Sequence, residues 1–372
     1  MREIRYHLAG EALRAVWPSG VLDPPERAAP AGDGTTADAA LRRIRAGEWL
    51  LYRGDYHNAR QLLAALGRRL RRAGPRGGDP ASAYRALRRQ RREEQQVLSR
   101  LLVPFEAGGV IPLRRAPDAR EAMREAWGEL PGAPGLVSLR ELLGVIGAGE
   151  WRRKGVPVRA LEGRVHPHYG VFAPVRAEHV DLVAAALEGR DLAGSLAFDV
   201  GTGTGVLALL LARRGARVVA TDREPRAVAC ARENAARFGL AGRIEVAEAD
   251  LFPAGQADLV VCNPPWLPDQ PHGLLDRAVY DPGSAMLLGF LAGLPAHLRP
   301  GGEGWLVLSD LAEIVGLRPA GFLPGAFARS GLAIAWTRTA RPSHRRAADA
   351  DDPLHAARSR ETTTLYCLRA SG

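Results

Sequence analysis

The chain has 372 residues, of which 46% are hydrophobic and 25% charged, and its formal net charge is +10 at pH 7. This composition allows a buried core for one to three domains and excludes a chain that is disordered throughout. No run of 18 uncharged apolar residues occurs, and the start M-R-E-I-R-Y-H-L-A-G lacks the apolar core of a secretory signal. We therefore expect a cytoplasmic protein without a membrane partner.

The first part of the chain, residues 1–155, is predicted to be an Arg-rich, mostly helical region with a role in substrate recognition. Residues 18–37 are rich in Pro, Gly and Ala and indicate a loop. Apolar residues at helical spacing predict helices over 58–73, 81–103 and 138–148. Either Asp55 or Asn58 is expected to cap the first of these helices.

The whole positive excess lies in this region. Residues 1–154 carry 28 basic and 18 acidic residues, whereas the remainder carries 23 of each. The block from Arg68 to Arg92 has ten arginines and one acid, Asp79. Such a block forms either a solvated helix face or a docking surface for RNA or an acidic protein. Because Lys154 is the only lysine, part of the arginine excess reflects a coding bias rather than function.

From about residue 165 the sequence alternates between short β-rich runs and Ala/Leu-rich segments. Strands are predicted over 196–200, 217–222, 243–250, 257–263, 304–310, 332–339 and 362–368. Helices are predicted over 205–214, 224–238 and 284–298. This alternation predicts a parallel sheet with helices on both faces. The last two runs need no helix between them, so we expect an antiparallel ending in which the last strand lies beside the fifth.

The charged segment 341–358 separates the last two predicted strands. We predict a surface loop, and the alternative is that this segment lines the opening to the substrate site.

A nucleotide site is predicted where the first of these strands runs into D-V-G-T-G-T-G (199–205). Ligands of open α/β sheets bind at the carboxyl ends of the strands, and glycines allow a tight turn and close approach. Asp222 ends the second strand, where an acid can hold two ribose hydroxyls or, alternatively, cap the next helix. Asp250 ends the third strand, where it can accept from an adenine amino group or serve as a turn residue.

The nucleotide is not expected to be NAD. The dinucleotide fingerprint is G-x-G-x-x-G, whereas the third glycine here follows the second after one residue. Four features stand at successive strand ends: D-V-G-T-G-T-G, Asp222, Asp250 and N-P-P-W (263–266). With these features, residues 165–370 resemble the class I S-adenosylmethionine-dependent methyltransferases.

Within that superfamily, N-P-P followed by an aromatic residue marks enzymes that methylate nitrogen. The chain is most similar to the "methyltransferase small" group, which includes HemK-type release-factor glutamine methyltransferases and ribosomal-RNA guanine-N2 methyltransferases. The stretch A-D-L-F-P-A-G-Q-A-D-L-V-V-C-N-P-P-W-L-P resembles the HemK pattern especially. Trp266 stands where tyrosine or phenylalanine is usual, and residues 1–150 match no recognition domain of these enzymes.

The resemblance implies a Rossmann-like α/β fold over 165–372, with a seven-strand methyltransferase sheet whose last strand is antiparallel. It implies that S-adenosyl-L-methionine is bound by Asp199, Gly201, Thr202, Gly203, Gly205, Asp222, Asp250, Leu251 and Asn263. The implied catalytic residues are Asn263, Pro264, Pro265 and Trp266. The segment 166–178 is expected either to close over the methionine end, through Phe172 and Arg176, or to be a packing lead-in.

The N-P-P-W motif suits methyl transfer to a planar nitrogen, whose lone pair is delocalised. The Asn263 side-chain oxygen and the Pro264 carbonyl are acceptors for its two hydrogens. Pro264 and Pro265 stiffen the turn, and Trp266 offers a flat face for stacking. No strong base is required, because the nitrogen becomes acidic as the new bond forms. The alternative is a strand-terminating turn with a core tryptophan.

Other chemistries find little support in the sequence. Three cysteines are far apart and form no C-x-x-C pair: Cys230, Cys262 and Cys367. We expect reduced, buried thiols rather than disulfides or a zinc site. Four histidines have no metal-binding spacing: His166, His168, His272 and His355. We therefore predict no metal site.

The sequence predicts an S-adenosylmethionine-dependent N-methyltransferase whose macromolecular substrate is linked to translation. We favour a protein glutamine amide, as in a release factor. The alternative is an exocyclic amine of ribosomal RNA, either guanine N2 or adenine N6. A duplex-DNA adenine methylase is less favoured because no target-recognition domain is evident. A rival of another class is a non-catalytic nucleotide-binding module, against which Asp199, Asp222 and Asn263 argue.

Overall fold

A computed structural model describes residues 1–71, 79–271, 273, 275–342, 349 and 352–371. The chain forms two compact units, Met1–Arg76 with Arg85–Trp151 and Gly77–Tyr84 with Arg152–Gly372. Among the described residues, no helix combines the length and apolar character that a bilayer span requires. The same residues contain no group of three or more His, Cys, Asp or Glu side chains arranged to hold a metal ion.

A closed barrel of six strands lies at the centre of the first unit. The strands are β1 (Arg2–Leu8), β2 (Glu11–Trp17), β3 (Arg27–Ala31), β4 (Trp49–Tyr52), β5 (Leu101–Phe105) and β6 (Gly135–Ser138). Their order around the barrel is β1-β2-β6-β5-β4-β3. One apolar cluster of this unit includes Trp17, Leu51 and Leu102, all of which are buried.

Helices accompany the barrel strands. They are α1 (Ala37–Arg45), α2 (Tyr56–Leu70), α3 (Pro80–Leu98), α4 (Arg120–Trp127) and α5 (Leu139–Lys154). The start of α3 lies in the segment Gly77–Tyr84, which groups with the second unit. Helix α2 buries the leucines that predicted it, and Asp55 caps it by accepting from the backbone N–H of His57 and of Asn58. Asp55, rather than Asn58, is therefore the cap.

Residues 1–155 were predicted to be mostly helical, and this prediction is incomplete because the region also contains the six barrel strands. Residues 101–103, assigned to a helix, begin β5, and the predicted loop 18–37 contains β3. Strands β4 and β5 are buried almost throughout, so they lack the alternation that distinguishes a strand from a buried helix. Residues 72–78 of the Arg68–Arg92 block lie outside the described residues.

A seven-stranded α/β sheet of the Rossmann-like type forms the second unit. Its strands are β9 (Leu196–Val200), β10 (Arg217–Asp222), β11 (Ile244–Glu248), β12 (Ala257–Cys262), β13 (Leu298–Ser309), β14 (Leu332–Ala340) and β15 (Thr363–Ala370). A short hairpin, β7 (Val156–Val158) and β8 (Gly163–Val165), precedes them. All seven strands predicted for the sheet are present.

The strand order is β11-β10-β9-β12-β13-β15-β14. Strands β9 to β13 pair in parallel, and β15 lies between β13 and β14 and pairs antiparallel with both. The order reverses between β9 and β12, which is the switch point where ligands of open α/β sheets bind. The ends of β9, β10, β11 and β12 therefore share one edge of the sheet.

Helices cover both faces of this sheet. They are α6 (Glu178–Ala186), α7 (Val206–Arg213), α8 (Pro225–Arg237), α9 (Ala285–His297), α10 (Leu311–Ile314), α11 (Phe322–Arg329) and α12 (His355–Arg358). Successive residues of β9, Ala197 and Phe198, belong to different apolar clusters, one with α6 to α8 and one with α9 and α11. Central strands buried on both faces explain the nearly uninterrupted apolar runs of the sequence. Residues 343–348, 350 and 351 of the charged segment 341–358 lie outside the described residues.

Candidate active site

The glycine loop after β9 is hydrogen-bonded to β10 on one side and borders open space on the other. The backbone N–H groups of Gly201 and Thr202 both donate to the carbonyl of Thr221, each at 2.9 Å. Gly201 and Gly203 have φ of +71° and +54°. A Cβ at Gly201 would meet the Met286 methyl group, whereas one at Gly203 would meet nothing within 4 Å. The space beside Gly203 is therefore open to a ligand, as the predicted cofactor loop requires.

Asp199 lies beneath this loop and is 1% exposed. Its Oδ2 accepts from Thr202 Oγ1 at 2.6 Å and from the Ala208 backbone N–H at 2.9 Å. Burial raises the pKa of the Asp199 carboxyl to about 6, although these hydrogen bonds oppose the shift. The carboxylate therefore connects the end of β9 with the glycine loop and with the first turn of α7, and its observed contacts are all within the protein.

Asp222 ties the second strand end to the same loop. Its Oδ2 accepts from the Gly203 N–H and its Oδ1 from the Glu224 N–H, each at 3.0 Å. Burial raises the pKa of this carboxyl, and the two backbone hydrogen bonds oppose the shift. The N-cap of α8 is Glu224, so Asp222 is not the cap of that helix. Each carboxylate oxygen keeps a lone pair for a further donor.

The third strand end contributes Asp250 and Leu251. Asp250 is exposed, and its carboxylate forms no hydrogen bond or ion pair with any residue that the structure describes. Leu251 has a positive φ of +72°, and its carbonyl accepts from Thr221 Oγ1. The hydrogen bond from Thr221 joins this turn to the end of β10. Because the Asp250 carboxylate has no partner among the described residues, it is available as a hydrogen-bond acceptor.

The N-P-P-W motif begins directly after β12. Asn263 and Trp266 are half-buried, and Trp266 Nε1–H donates to Asn263 Oδ1 at 2.9 Å. The segment that follows folds back on the motif. The Leu267 N–H donates to the Val279 carbonyl at 3.1 Å, and the Asp281 N–H donates to the Leu267 carbonyl at 2.8 Å. The turn therefore lies between the end of β12 and Leu267, whose backbone N–H and carbonyl are both hydrogen-bonded.

Strand pairing brings this motif beside the glycine loop. Cys262 lies opposite Val200 in the β9–β12 pair, so Asn263 and Gly201 follow at the same level of the sheet edge. Burial raises the pKa of the Cys262 thiol well above its usual range, and the carboxylates of Asp199, Asp281 and Asp222 add to this effect. The structure thus brings three of the four predicted strand ends together around β9.

The segment 166–178 is anchored on α8. The His166 N–H donates to Asn234 Oδ1 at 2.8 Å, and Asn234 Nδ2 donates to the Thr204 carbonyl at 3.0 Å. Asn234 is fully buried, so one side chain joins this segment to the glycine loop. His168 Nε2 also lies 2.7 Å from Glu233 Oε2.

Phe172 and Arg176, which are predicted to close over the methionine end of the cofactor, lie further along this segment. The Phe172 ring lies 6.3 Å from the His179 ring of α6. The charge of Arg176 partly opposes the rise that burial causes in the pKa of Glu361. Contact of Phe172 or Arg176 with a cofactor stays a prediction. Of the histidines, His272 lies outside the described residues.

Several residues of the site were missed by the sequence analysis. Asp281 begins α9 by accepting from the N–H groups of Met286 and Leu287 at 3.0 and 3.1 Å. The pattern D-P-G-S before a helical run is a recognisable start signal for this role. Tyr84 Oη donates to Asp269 Oδ2 at 2.6 Å, three residues after Trp266. No local pattern marks that contact, because the partners are 185 positions apart.

Comparison with known proteins identifies relatives over the second unit. The sequence profile of the methyltransferase small domain matches residues 162–314. A release factor glutamine methyltransferase of Xylella fastidiosa is 37% identical over 182 residues, which are 43% of this chain and 65% of that protein. The chain thus spans less than two thirds of that relative.

Two further relatives broaden the comparison. The release factor glutamine methyltransferase of Chlorobaculum tepidum is 34% identical over 45% of this chain and 67% of its own length. The ribosomal RNA small subunit methyltransferase C of Alcanivorax borkumensis is 36% identical over 37% of this chain and 40% of its own length. Together with the glycine loop, the acids and the N-P-P-W turn at one sheet edge, these matches show that the chain belongs to the S-adenosylmethionine-dependent methyltransferases of the methyltransferase small family.

Proposed function

We propose that this protein transfers a methyl group from S-adenosylmethionine to a planar nitrogen, most favourably a glutamine side-chain amide of a protein that acts in translation, such as a release factor. The observation that carries the proposal is the position of Asn263 and Trp266 beside the glycine loop. Similarity to release factor glutamine methyltransferases of 37% and 34% identity supports it. A substrate of translation would place the activity in the cytoplasm.

The residues around the loop suit the cofactor. The open space at Gly203 admits a ligand close to the backbone, and the positive N-terminus of α7 favours the carboxylate of its methionine end. In our proposal, Asp222 accepts from the ribose hydroxyls and Asp250 from the adenine amino group. Thr202 and Leu251 would line the same space. When bound, S-adenosylmethionine supplies a methyl group on a positively charged sulfur.

The N-P-P-W turn suits the acceptor. In our proposal, Asn263 Oδ1 and the Pro264 carbonyl accept from the two hydrogens of the amide and so fix the direction of its nitrogen. Pro264 and Pro265 keep these acceptors preorganised, which lowers the cost of reaching the transition state. The half-buried ring of Trp266 stacks on the planar group. Positioning, rather than general-base catalysis, is therefore the main contribution of the chain.

Ribosomal RNA is the second candidate substrate. The 36% identical relative from Alcanivorax borkumensis is named as a ribosomal RNA methyltransferase. Residues 1–154 carry ten more basic than acidic residues, a charge that suits a phosphate backbone. In this case residues 1–155 would form the recognition domain, and Trp266 would stack on a base rather than on an amide.

The test is methyl transfer from tritiated S-adenosylmethionine into a cell extract, followed by separate digestion with protease and with ribonuclease. Label that is released by protease and recovered as methylglutamine supports the proposal. Label released by ribonuclease alone supports the RNA candidate and contradicts the glutamine substrate. Calorimetry with S-adenosylmethionine distinguishes an inactive binding module, which would bind the cofactor yet transfer no label, from a protein that does not bind it.

A further inference from the structure

The hydrogen bond between Trp266 and Asn263 determines the orientation of the Asn263 amide. The two terminal atoms of an asparagine amide are nearly the same size, so two orientations related by a half-turn fit most sites. The indole nitrogen of Trp266, however, is a donor only. The amide atom 2.9 Å from it must therefore be the oxygen, with the amide nitrogen directed away.

This orientation matters for an acceptor nitrogen that carries hydrogens. An amide oxygen has two lone pairs, so Asn263 Oδ1 can accept from Trp266 and from one substrate hydrogen together. In the reversed orientation, the Asn263 NH2 group would face the substrate hydrogens, and two donors would oppose one another. The orientation thus decides whether Asn263 attracts or repels the group to be methylated.

Tryptophan combines this donor with a stacking surface. A phenylalanine ring would offer the flat face without any donor, and only the indole N–H explains the observed bond. The Trp266 ring is half-buried and forms no ring–ring or cation–π contact with any residue described in the structure. The N–H edge is occupied by Asn263, and part of the ring packs against the apolar cluster that includes Phe198 and Leu287. In our proposal, the exposed remainder of the ring receives the planar group.

We propose that Trp266 is a positioning residue, whose indole N–H holds the Asn263 amide with its oxygen towards the acceptor nitrogen. The consequence for catalysis rests on the proposed function, whereas the hydrogen bond itself does not. Two experiments, one spectroscopic and one kinetic, therefore address the two parts separately.

The spectroscopic experiment records the indole N–H resonances of the seven tryptophans in the full chain labelled with 15N-tryptophan. Trp266→Phe assigns the resonance by removing it. Asn263→Asp should move the Trp266 proton downfield, because a carboxylate is a stronger acceptor, and Asn263→Ala should move it upfield and speed its exchange. Trp151→Phe, at a tryptophan that is 48% exposed, is the matched control and should leave the Trp266 resonance unchanged. A Trp266 resonance that is insensitive to both Asn263 variants would overturn the proposal.

The kinetic experiment measures tritiated methyl incorporation into a fixed amount of extract at saturating S-adenosylmethionine. Trp266→Phe should lower the rate about fivefold, the effect of one neutral hydrogen bond. If Trp266 acts through Asn263, the same change in an Asn263→Ala background should alter the rate by less than about twofold. A fivefold loss in both backgrounds would show that Trp266 acts independently of Asn263 and would contradict the positioning role. If the unmodified chain transfers no label, the proposed function fails, and the indole resonance alone decides the orientation of Asn263.

Discussion

The two halves of the candidate site are built in different ways. On the proposed cofactor side, Asp199 and Asp222 accept four hydrogen bonds of 2.6 to 3.0 Å at strand ends. Two come from the glycine loop, and two come from the backbone N–H groups that begin the following helices, at Ala208 and Glu224. On the acceptor side, Asn263 is held by Trp266, and the following segment returns to the motif through Leu267. The first half is thus preorganised by the sheet, whereas the second depends on a loop. A cofactor side built on the sheet and an acceptor side built on a loop suit a family whose members share one cofactor and differ in their substrates.

The sharpest test of this comparison is the removal of the acceptor-side amide. Asn263→Ala should lower kcat about 100- to 1000-fold, the usual effect of removing one preorganised hydrogen-bonding group, with a smaller change in S-adenosylmethionine affinity. The measurement is tritiated methyl transfer at saturating cofactor, together with calorimetry. Gln256→Ala removes an exposed amide at the opposite end of β12 and should leave both values unchanged. An Asn263→Ala protein with full activity would show that the turn is only structural.

Removal of Asp222, the proposed ribose ligand, should have the opposite signature. Asp222→Ala should weaken S-adenosylmethionine binding about 100-fold, because hydrogen bonds to a charged group contribute about 1.5 to 3 kcal/mol each. At saturating cofactor, kcat should change little. Calorimetry gives the affinity, and Asp191→Ala, which removes an exposed acid that precedes the opposite end of β9, is the control. A fall in kcat without a change in affinity would show that the two halves of the site are not separable.

Burial of the Asp199 carboxyl beneath the glycine loop should make the free energy of unfolding depend on pH. The pKa of Asp199 is about 6 in the folded chain and 3.8 as its ordinary value, so the folded state retains a proton between those pH values. The free energy of unfolding should therefore fall as pH rises from 4 to 6, by up to about 1.4 kcal/mol per unit. Asp199→Asn cannot titrate and should lose this component of the slope. Urea unfolding from pH 4 to pH 7 measures the difference, and identical slopes would contradict the assigned cause.

The smallest effect on the cofactor side is expected at Asp250. Its carboxylate is exposed, so its interaction with an adenine amino group competes with water. Asp250→Ala should weaken S-adenosylmethionine binding about fivefold, and Asp250→Asn, which keeps an acceptor oxygen, should stay closer to the unmodified chain. Calorimetry of both variants provides the test. An effect as large as that of Asp222→Ala would place the main nucleotide contact at the third strand end.

The same contrast explains how far the sequence predicts the structure. The central strands of the seven-stranded sheet were recognised because parallel strands buried on both faces form apolar runs that end in glycine, aspartate or Asn-Pro. Such runs are local features. The barrel of the first unit was missed because β4, β5 and β6 have only four or five residues and are buried almost throughout, and periodicity cannot separate such strands from buried helix.

Contacts between distant positions have no local signature at all. The fully buried side chain of Asn234 joins the glycine loop to the segment at His166, yet nothing in A-R-E-N-A-A distinguishes it from a surface asparagine of a helix. The Tyr84–Asp269 hydrogen bond is a second example. Composition and spacing therefore predicted the strand ends at which the candidate site lies, whereas the supports that join them to distant segments emerged only from the three-dimensional arrangement.

The position of β15 has a consequence for synthesis of the chain. Strand β15 comprises residues 363–370, yet it lies inside the sheet, between β13 and β14. During translation, β13 and β14 are therefore made before the strand that joins them, and each exposes an unpaired edge until β15 follows. Unpaired edges are where nascent chains associate incorrectly. Between the synthesis of residues 340 and 370, the unpaired edges of β13 and β14 are thus sites where the chain can aggregate unless a chaperone covers them.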